Sequence, residues 1–288
     1  MRRAALMVAV WLSVGLLALP TESRHAAAPP FFFMQLADPQ FGMFTADADV
    51  QQETANFRFA IAAANRLRPA FVIVTGDLVN KAGDRTQIAA YRRVAAELDR
   101  SIPLYNVAGN HDVGNIPTPA SIAAYETRFG PDHYVFRFRG LVGIVLDSCL
   151  ISAPEGAPAL FAGQEQWLRR ELQGARDAGA RDIVVFQHHP WFVHDPEEPD
   201  QYDNIPRERR ARYLAWFREA GVKCLIAGHY HRNAVAHDGD MEMITSGPVG
   251  KPLGDGKSGL RILTVDERGI THRYYDFGEV PNRIALQK

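Results

Sequence analysis

Five of the ten histidines fall in three short clusters: Gly109-Asn110-His111-Asp112, Gln187-His188-His189-Pro190 and Gly228-His229-Tyr230-His231. Two further clusters, Asp38-Pro39-Gln40 and Gly76-Asp77, add carboxylates and an amide. Carboxylate, amide oxygen and imidazole together form the ligand set of divalent cations. Side chains of an extended segment alternate with period two, so His229 and His231 point to the same side. Glycine before Asp77, Asn110 and His229 suits tight turns close to an ion. Each cluster alone has a plainer reading: an Asp after a strand is most often a turn former or helix cap, and a single His in apolar surroundings a core residue. Five clusters of one ligand chemistry favour a metal site over a set of caps.

Each cluster closes a short apolar run, and the runs alternate with longer amphipathic stretches. The periodicity predicts strands at Phe31–Ala37, Phe71–Thr75, Pro103–Ala108, Tyr134–Phe138, Leu141–Asp147, Asp182–Gln187 and Val222–Ala227. Helices are predicted at Gln52–Arg66, Thr86–Leu98, Ser121–Phe129, Gly163–Ala178 and Pro206–Ala220. Four successive strands follow, at Val235–Asp238, Met241–Ser246, Leu260–Asp266 and Gly269–Phe277. This order reads as an α/β fold with a terminal antiparallel portion. The carboxyl ends of strands in such a sheet face one crevice, which gathers residues distant in sequence. His194–Pro206, rich in Asp, Glu and Pro, reads as a solvated loop, with a lid over the site as the alternative.

The composition, 47% hydrophobic and 23% charged over 288 residues, belongs to a globular protein and disfavours disordered, collagen-like and disulfide-scaffold classes. A net charge of −1 gives no broad basic face for nucleic acid. Residues 1–28 have a basic start at Arg2-Arg3, an apolar run from Ala4 to Leu19, then Ala26-Ala27-Ala28, the pattern of a cleaved export signal. An uncleaved anchor is the rival, but the run falls short of the roughly 20 residues a spanning helix needs. The expectation is export to the periplasm or beyond, a mature chain with no membrane span, and one domain over residues 29–288. Cys149 and Cys224 lie in or beside apolar runs and read as two separate buried thiols rather than a pair.

Gly76-Asp77, Gly109-Asn110-His111-Asp112, His188-His189-Pro190 and Gly228-His229-Tyr230-His231, in this order, resemble the signature of the calcineurin-like metallophosphoesterases. Asp38-Pro39-Gln40-Phe41-Gly42, Gly228–Ala234 and Ile270–Tyr275 are similar to its calcineurin-like phosphoesterase domain-containing (serine/threonine phosphatase) subgroup. The resemblance implies a four-layer α/β/β/α sandwich of two mixed sheets flanked by helices. It implies one metal held by Asp38, Gln40, Asp77 and His231, and a second held by Asp77, Asn110, His188 and His229. His189 then borders the substrate pocket or packs behind it. The implied reaction is attack on phosphorus by a metal-bridging hydroxide, with His111 giving a proton to the leaving group or stabilising its charge. Asp112 or Asn80 orients the His111 ring, or Asp112 merely caps its turn. Arg232 reaches a substrate phosphate or lies on the surface.

Where most of that superfamily has histidine, this chain has Gln40. A neutral amide oxygen is harder than imidazole, so among Mn, Fe, Zn and Mg that position favours Mn or Mg. The expected substrate is a phosphomonoester, on a small molecule or a phosphoprotein. A phosphodiester or nucleotide, and a non-catalytic metal- or phosphate-binding role, are the alternatives.

Overall fold

The computed structural model describes residues 29–286, so the expected export signal lies outside the described residues. The chain runs β1 (Phe31–Leu36), α1 (Gln51–Leu67), β2 (Val72–Thr75), α2 (Arg85–Ala95), β3 (Leu104–Val107), α3 (Asn110–Val113) and α4 (Pro119–Phe129). It continues through β4 (Tyr134–Phe138), β5 (Leu141–Val145), α5 (Ser148–Ser152), α6 (Pro158–Asp177), β6 (Asp182–Phe186), α7 (Arg207–Ala220) and β7 (Val222–Ala227). Four strands close it: β8 (Ala234–Asp238), β9 (Met241–Thr245), β10 (Gly259–Asp266) and β11 (Gly269–Asp276).

The strands form two mixed sheets. The first has the order β11-β10-β1-β2-β3, with β1, β2 and β3 parallel and β10 and β11 antiparallel at one side. The second has the order β4-β5-β6-β7-β9-β8, parallel from β5 to β9 and closed at both edges by an antiparallel strand. Strand β1 shows why the layers stack. Its alternate side chains enter different cores, Phe31 and Phe33 joining the core between the sheets while Phe32, Met34 and Leu36 pack under α1 and α2. A strand buried on both faces reads as a nearly continuous apolar run, as Phe31–Leu36 does with Gln35 its one polar residue. A third core places Leu168, Leu172, Tyr213 and Phe217 of α6 and α7 against Ile144, Val185 and Leu225. Three cores between four layers make the α/β/β/α sandwich.

The predicted strands and long helices are all present, with ends shifted by a few residues. The short α3 and α5 were not predicted. Asp147 ends β5 early because its carboxylate caps α5, accepting from the Cys149 and Leu150 amides. Cys149 and Cys224 are buried and unpaired, as expected. No described helix is long and apolar enough to cross a membrane.

One polar network joins the sheets below the strand ends. Gln35 donates to Thr75 Oγ1 (3.0 Å) and the Ala227 carbonyl (2.9 Å) and accepts from Ser246 Oγ (2.6 Å). Arg261, only 3% exposed, donates to Ser246 and reaches His272, which in turn meets Glu242. His272, for which the sequence suggested no role, thus belongs to this brace.

Candidate metal centre

The loops after β1, β2, β6 and β7, with α3 after β3, converge at one end of the two sheets. They deliver Asp38 and Gln40, Asp77, His188, His229 and His231, and Asn110. Backbone conformation marks the site. Nine non-glycine residues have positive φ among the described residues, and five of them are Asp38, Gln40, Asp77, His229 and His231. Left-handed backbone is unfavourable for such side chains and collects at functional sites. The glycines beside them are required by close approach. A Cβ on Gly109 would lie 2.1 Å from the Asp77 nitrogen, and one on Gly228 2.5 Å from Asp38 Oδ2.

Two groups of ligand atoms result, each within 4.8 Å: Asp38, Asp77 and His231 in one, and His188, His189 and His229 in the other. Asp77 connects them, since its Oδ1 lies 3.4 Å from His188 Nε2. His188 Nε2 is also 2.9 Å from Asn110 Oδ1 and 3.1 Å from His229 Nδ1. The outward nitrogen of each ligand-type imidazole donates to a backbone carbonyl: His188 Nδ1 to Thr75 (3.0 Å), His229 Nε2 to Tyr202 (3.1 Å) and His231 Nδ1 to Lys251 (2.7 Å). Such anchoring fixes the tautomer and turns the other nitrogen's lone pair inward, as metal-binding histidines require. Asn110 gives its amide hydrogens to Asn115 and Tyr202, so its oxygen also faces in. Gln40 Oε1 is buried and has no protein partner.

Electron-pair donors therefore converge from seven residues, Asp38, Gln40, Asp77, Asn110, His188, His229 and His231. Burial opposes a charge on His188, but Asp77 and then Asp38 overcome it and push its pKa up to about 9. Burial and the charge of His188 push His229 down to about 3. Burial likewise raises Asp38 to about 6 against the pull of His231 and His188. For Asp77 burial is outweighed by His188, His111 and His229, which hold its carboxyl well below the usual range. A divalent cation held here would supply the positive charge that Asp77 and Asp38 otherwise draw onto His188. The donor set fits two such cations.

His111 stands beside the cluster, partly exposed, with its amide bonded to Asp77 Oδ1 (2.9 Å) and its ring Nδ1 to the Asn80 carbonyl (2.7 Å). Its Nε2 makes no hydrogen bond among the described residues. The geometry separates the alternatives left open for Asp112 and Asn80. Asp112 does not touch the His111 ring, because its carboxylate is taken up by the amides of Gly109, Leu78 and Val79. It locks the turn after β3 to the turn after β2. Asn80 orients His111 through its backbone, while its side-chain oxygen accepts from Gln40 Nε2 (3.1 Å).

Residues 33–233 match the family described as calcineurin-like phosphoesterase. The chain belongs to that family. It is 37% identical over 281 residues to the serine/threonine-protein phosphatase CPPED1 of Bos taurus, covering 92% of this chain and 90% of the bovine protein. Two solved structures share the fold. A dimetal phosphatase from Danio rerio aligns with TM-score 0.57 at 19% identity, over 86% of this chain and all of that one. A purple acid phosphatase from yellow lupin, Lupinus luteus, aligns with TM-score 0.66 at 12% identity, over 88% of this chain and 52% of that one.

In this phosphoesterase His189 packs rather than lines the pocket. Ser148 Oγ lies 3.0 Å from its Nδ1, its ring is 4.3 Å from that of His229, and burial holds it neutral. Arg232 is an exposed residue whose guanidinium sits 5.4 Å from the Tyr230 ring, and it bonds no candidate ligand.

The segment read as a solvated loop is built more firmly than that. Glu198 accepts from the amides of Val193, His194 and Asp195 and from Asn204 Nδ2. Buried Arg210 donates to the carbonyls of Trp191 and Glu198. The loop so held carries Tyr202 over the site. The Tyr202 carbonyl anchors His229, its hydroxyl accepts from Asn110 (3.3 Å), and its ring lies 4.9 Å from the His229 ring. Sequence reasoning missed Tyr202, because the surrounding carboxylates suggested solvation. The nearest signal was Glu198 and Asn204 close behind the apolar Trp191-Phe192-Val193. Glu198→Ala is expected to cost about 2–4 kcal/mol, since three amides and an Asn lose their acceptor together. Urea unfolding checks this, and a shift below about 0.5 kcal/mol would show that the loop is held otherwise.

Proposed function

We propose that this phosphoesterase hydrolyses phosphomonoesters, phosphoserine and phosphothreonine among them. One divalent cation would be held by Asp38, Gln40, Asp77 and His231, and a second by Asp77, Asn110, His188 and His229. The observation that carries this reading is the convergence on Asp77 of inward-facing lone pairs, beside a His111 whose Nε2 is uncommitted. Bound divalent cations supply a water-derived nucleophile at neutral pH and neutralise phosphoryl oxygens.

The chain's own groups do the rest. Thr75, Tyr202 and Lys251 carbonyls keep the ligand imidazoles in one tautomer. The Asn80 carbonyl accepts a hydrogen bond from His111 Nδ1 and so leaves Nε2 as the nitrogen for proton transfer to a leaving group. Asp112 holds the two turns that carry Asp77 and His111 in register. The phosphoserine and phosphothreonine assignment draws support from the named activity of the bovine relative.

The test is hydrolysis of p-nitrophenyl phosphate, bis-p-nitrophenyl phosphate and a phosphoserine peptide, by protein stripped of metal and by protein reloaded with Mn, Mg, Zn or Fe. Stripped protein is expected to be silent, and Mn to restore monoester turnover about tenfold or more above diester turnover. Activity that survives chelation, or a faster diester, would contradict the proposal.

A further inference from the structure

A glutamine can ligate a cation only through its oxygen, and the two ends of an amide are nearly isosteric. Something must decide which end of Gln40 faces the cluster. The deciding bonds run through three residues outside the ligand set. The backbone amides of Asn80 and Lys81 both donate to Gln87 Oε1 (3.1 and 2.8 Å). Gln87 therefore presents its Nε2 to Asp47 Oδ1 (2.7 Å). The same Asp47 oxygen accepts Asn80 Nδ2 (2.8 Å). The donors on Asn80 and Gln87 hold the Asp47 carboxyl below its usual range, so at neutral pH it has no proton to give. Asn80 must then turn its oxygen toward Gln40 and accept Nε2, which leaves Gln40 Oε1 facing the cluster, buried and unpartnered.

The backbone is shaped around this contact. Ala46 and Asp47 both have positive φ, and the Asp47 amide closes the turn on the Gly42 carbonyl (2.8 Å). A side chain at Gly42 would collide with the pair, since its Cβ would lie 2.4 Å from Gln87 Nε2 and 3.0 Å from Asp47 Oδ1.

We propose that Asp47 is a positioning residue that sets, through Asn80, which end of the Gln40 amide meets the first cation. Its role is polarity and not charge: an acceptor at one end of a two-amide chain specifies an oxygen ligand at the other. The inference rests on Gln40 being a ligand, and the variants are chosen to separate the two ideas.

The readout is Mn affinity by calorimetric titration, with thermal melting to confirm folding, on the full chain and five variants. Asp47→Gly keeps the left-handed backbone and removes the acceptor. It is expected to weaken Mn binding about tenfold, at the lower end of the usual effect of such outer groups because water at this exposed position can take either role. Asp47→Asn retains an oxygen for both amides and is expected to stay within about twofold of the parent. Gln40→Glu presents an oxygen whichever way it turns, so adding Asp47→Gly to it is expected to change affinity less than about twofold. Gln40→Ala is the control for the ligand itself.

Parent-like binding by Asp47→Gly, with Gln40→Ala weakened, would overturn the relay and leave the ligand assignment standing. Parent-like binding by Gln40→Ala would overturn the ligand assignment. Equal losses in Asp47→Gly and Asp47→Asn, or an undiminished loss in the Gln40→Glu background, would show a simple charge effect and overturn the relay.

Discussion

Asp77→Asn is expected to lower kcat/KM by at least about a thousandfold, or about 4 kcal/mol of transition-state stabilisation. The substitution preserves volume, and asparagine tolerates the left-handed φ of 48° at this position. It removes a negative charge at the junction of both ligand groups, where Oδ1 also fixes the His111 amide at 2.9 Å. One change would thus weaken both proposed cation positions and, by removing the charge, the hydrogen bond that holds the His111 amide. Steady-state kinetics with metal content per chain checks it. A variant that keeps two ions and activity within about tenfold would show that Asp77 does not join the two positions.

His111→Ala is expected to cost about a hundred- to ten-thousandfold in kcat on an alkyl phosphate such as a phosphoserine peptide. On p-nitrophenyl phosphate the loss is expected to be much smaller, because nitrophenolate departs without being protonated. The difference between substrates is the diagnostic. Among the described residues no hydrogen bond joins the His111 ring to the candidate ligand imidazoles, and the ring bonds the Asn80 carbonyl, so its removal is expected to leave the ligand set in place. Equal losses on both substrates would assign His111 to binding phosphate or holding the loop, and not to proton transfer.

The ligand clusters were legible in the sequence because each is a run of two to four residues closing an apolar strand. Strand ends in an α/β sheet meet at one crevice whatever lies between them. The fold was legible for a related reason: Phe31–Leu36 and Asp182–Phe186 are buried on both faces and so read as nearly continuous apolar runs, broken only by Gln35 and Asp182. What was not legible depends on partners far along the chain. Asp112 precedes Val113 in a plain helical turn, and only the fold brings the amides of Leu78 and Val79 to its carboxylate. Asn80 acts on His111 through a carbonyl, which any residue type supplies. Tyr202 lies in a segment whose charges suggested solvent, while its Glu198 is turned inward onto backbone amides. The helices α3 and α5 are too short for periodicity to show.

The proposed centre would hold two cations with Asp77 common to both ligand sets. Its most direct measurement is the metal content of chelated chain reloaded with Mn, read together with the electron paramagnetic resonance spectrum. Two Mn ions per chain with a spin-coupled spectrum are expected, as ions bridged by one carboxylate interact magnetically. One ion per chain, or two with the spectrum of isolated Mn, would contradict a shared site at Asp77.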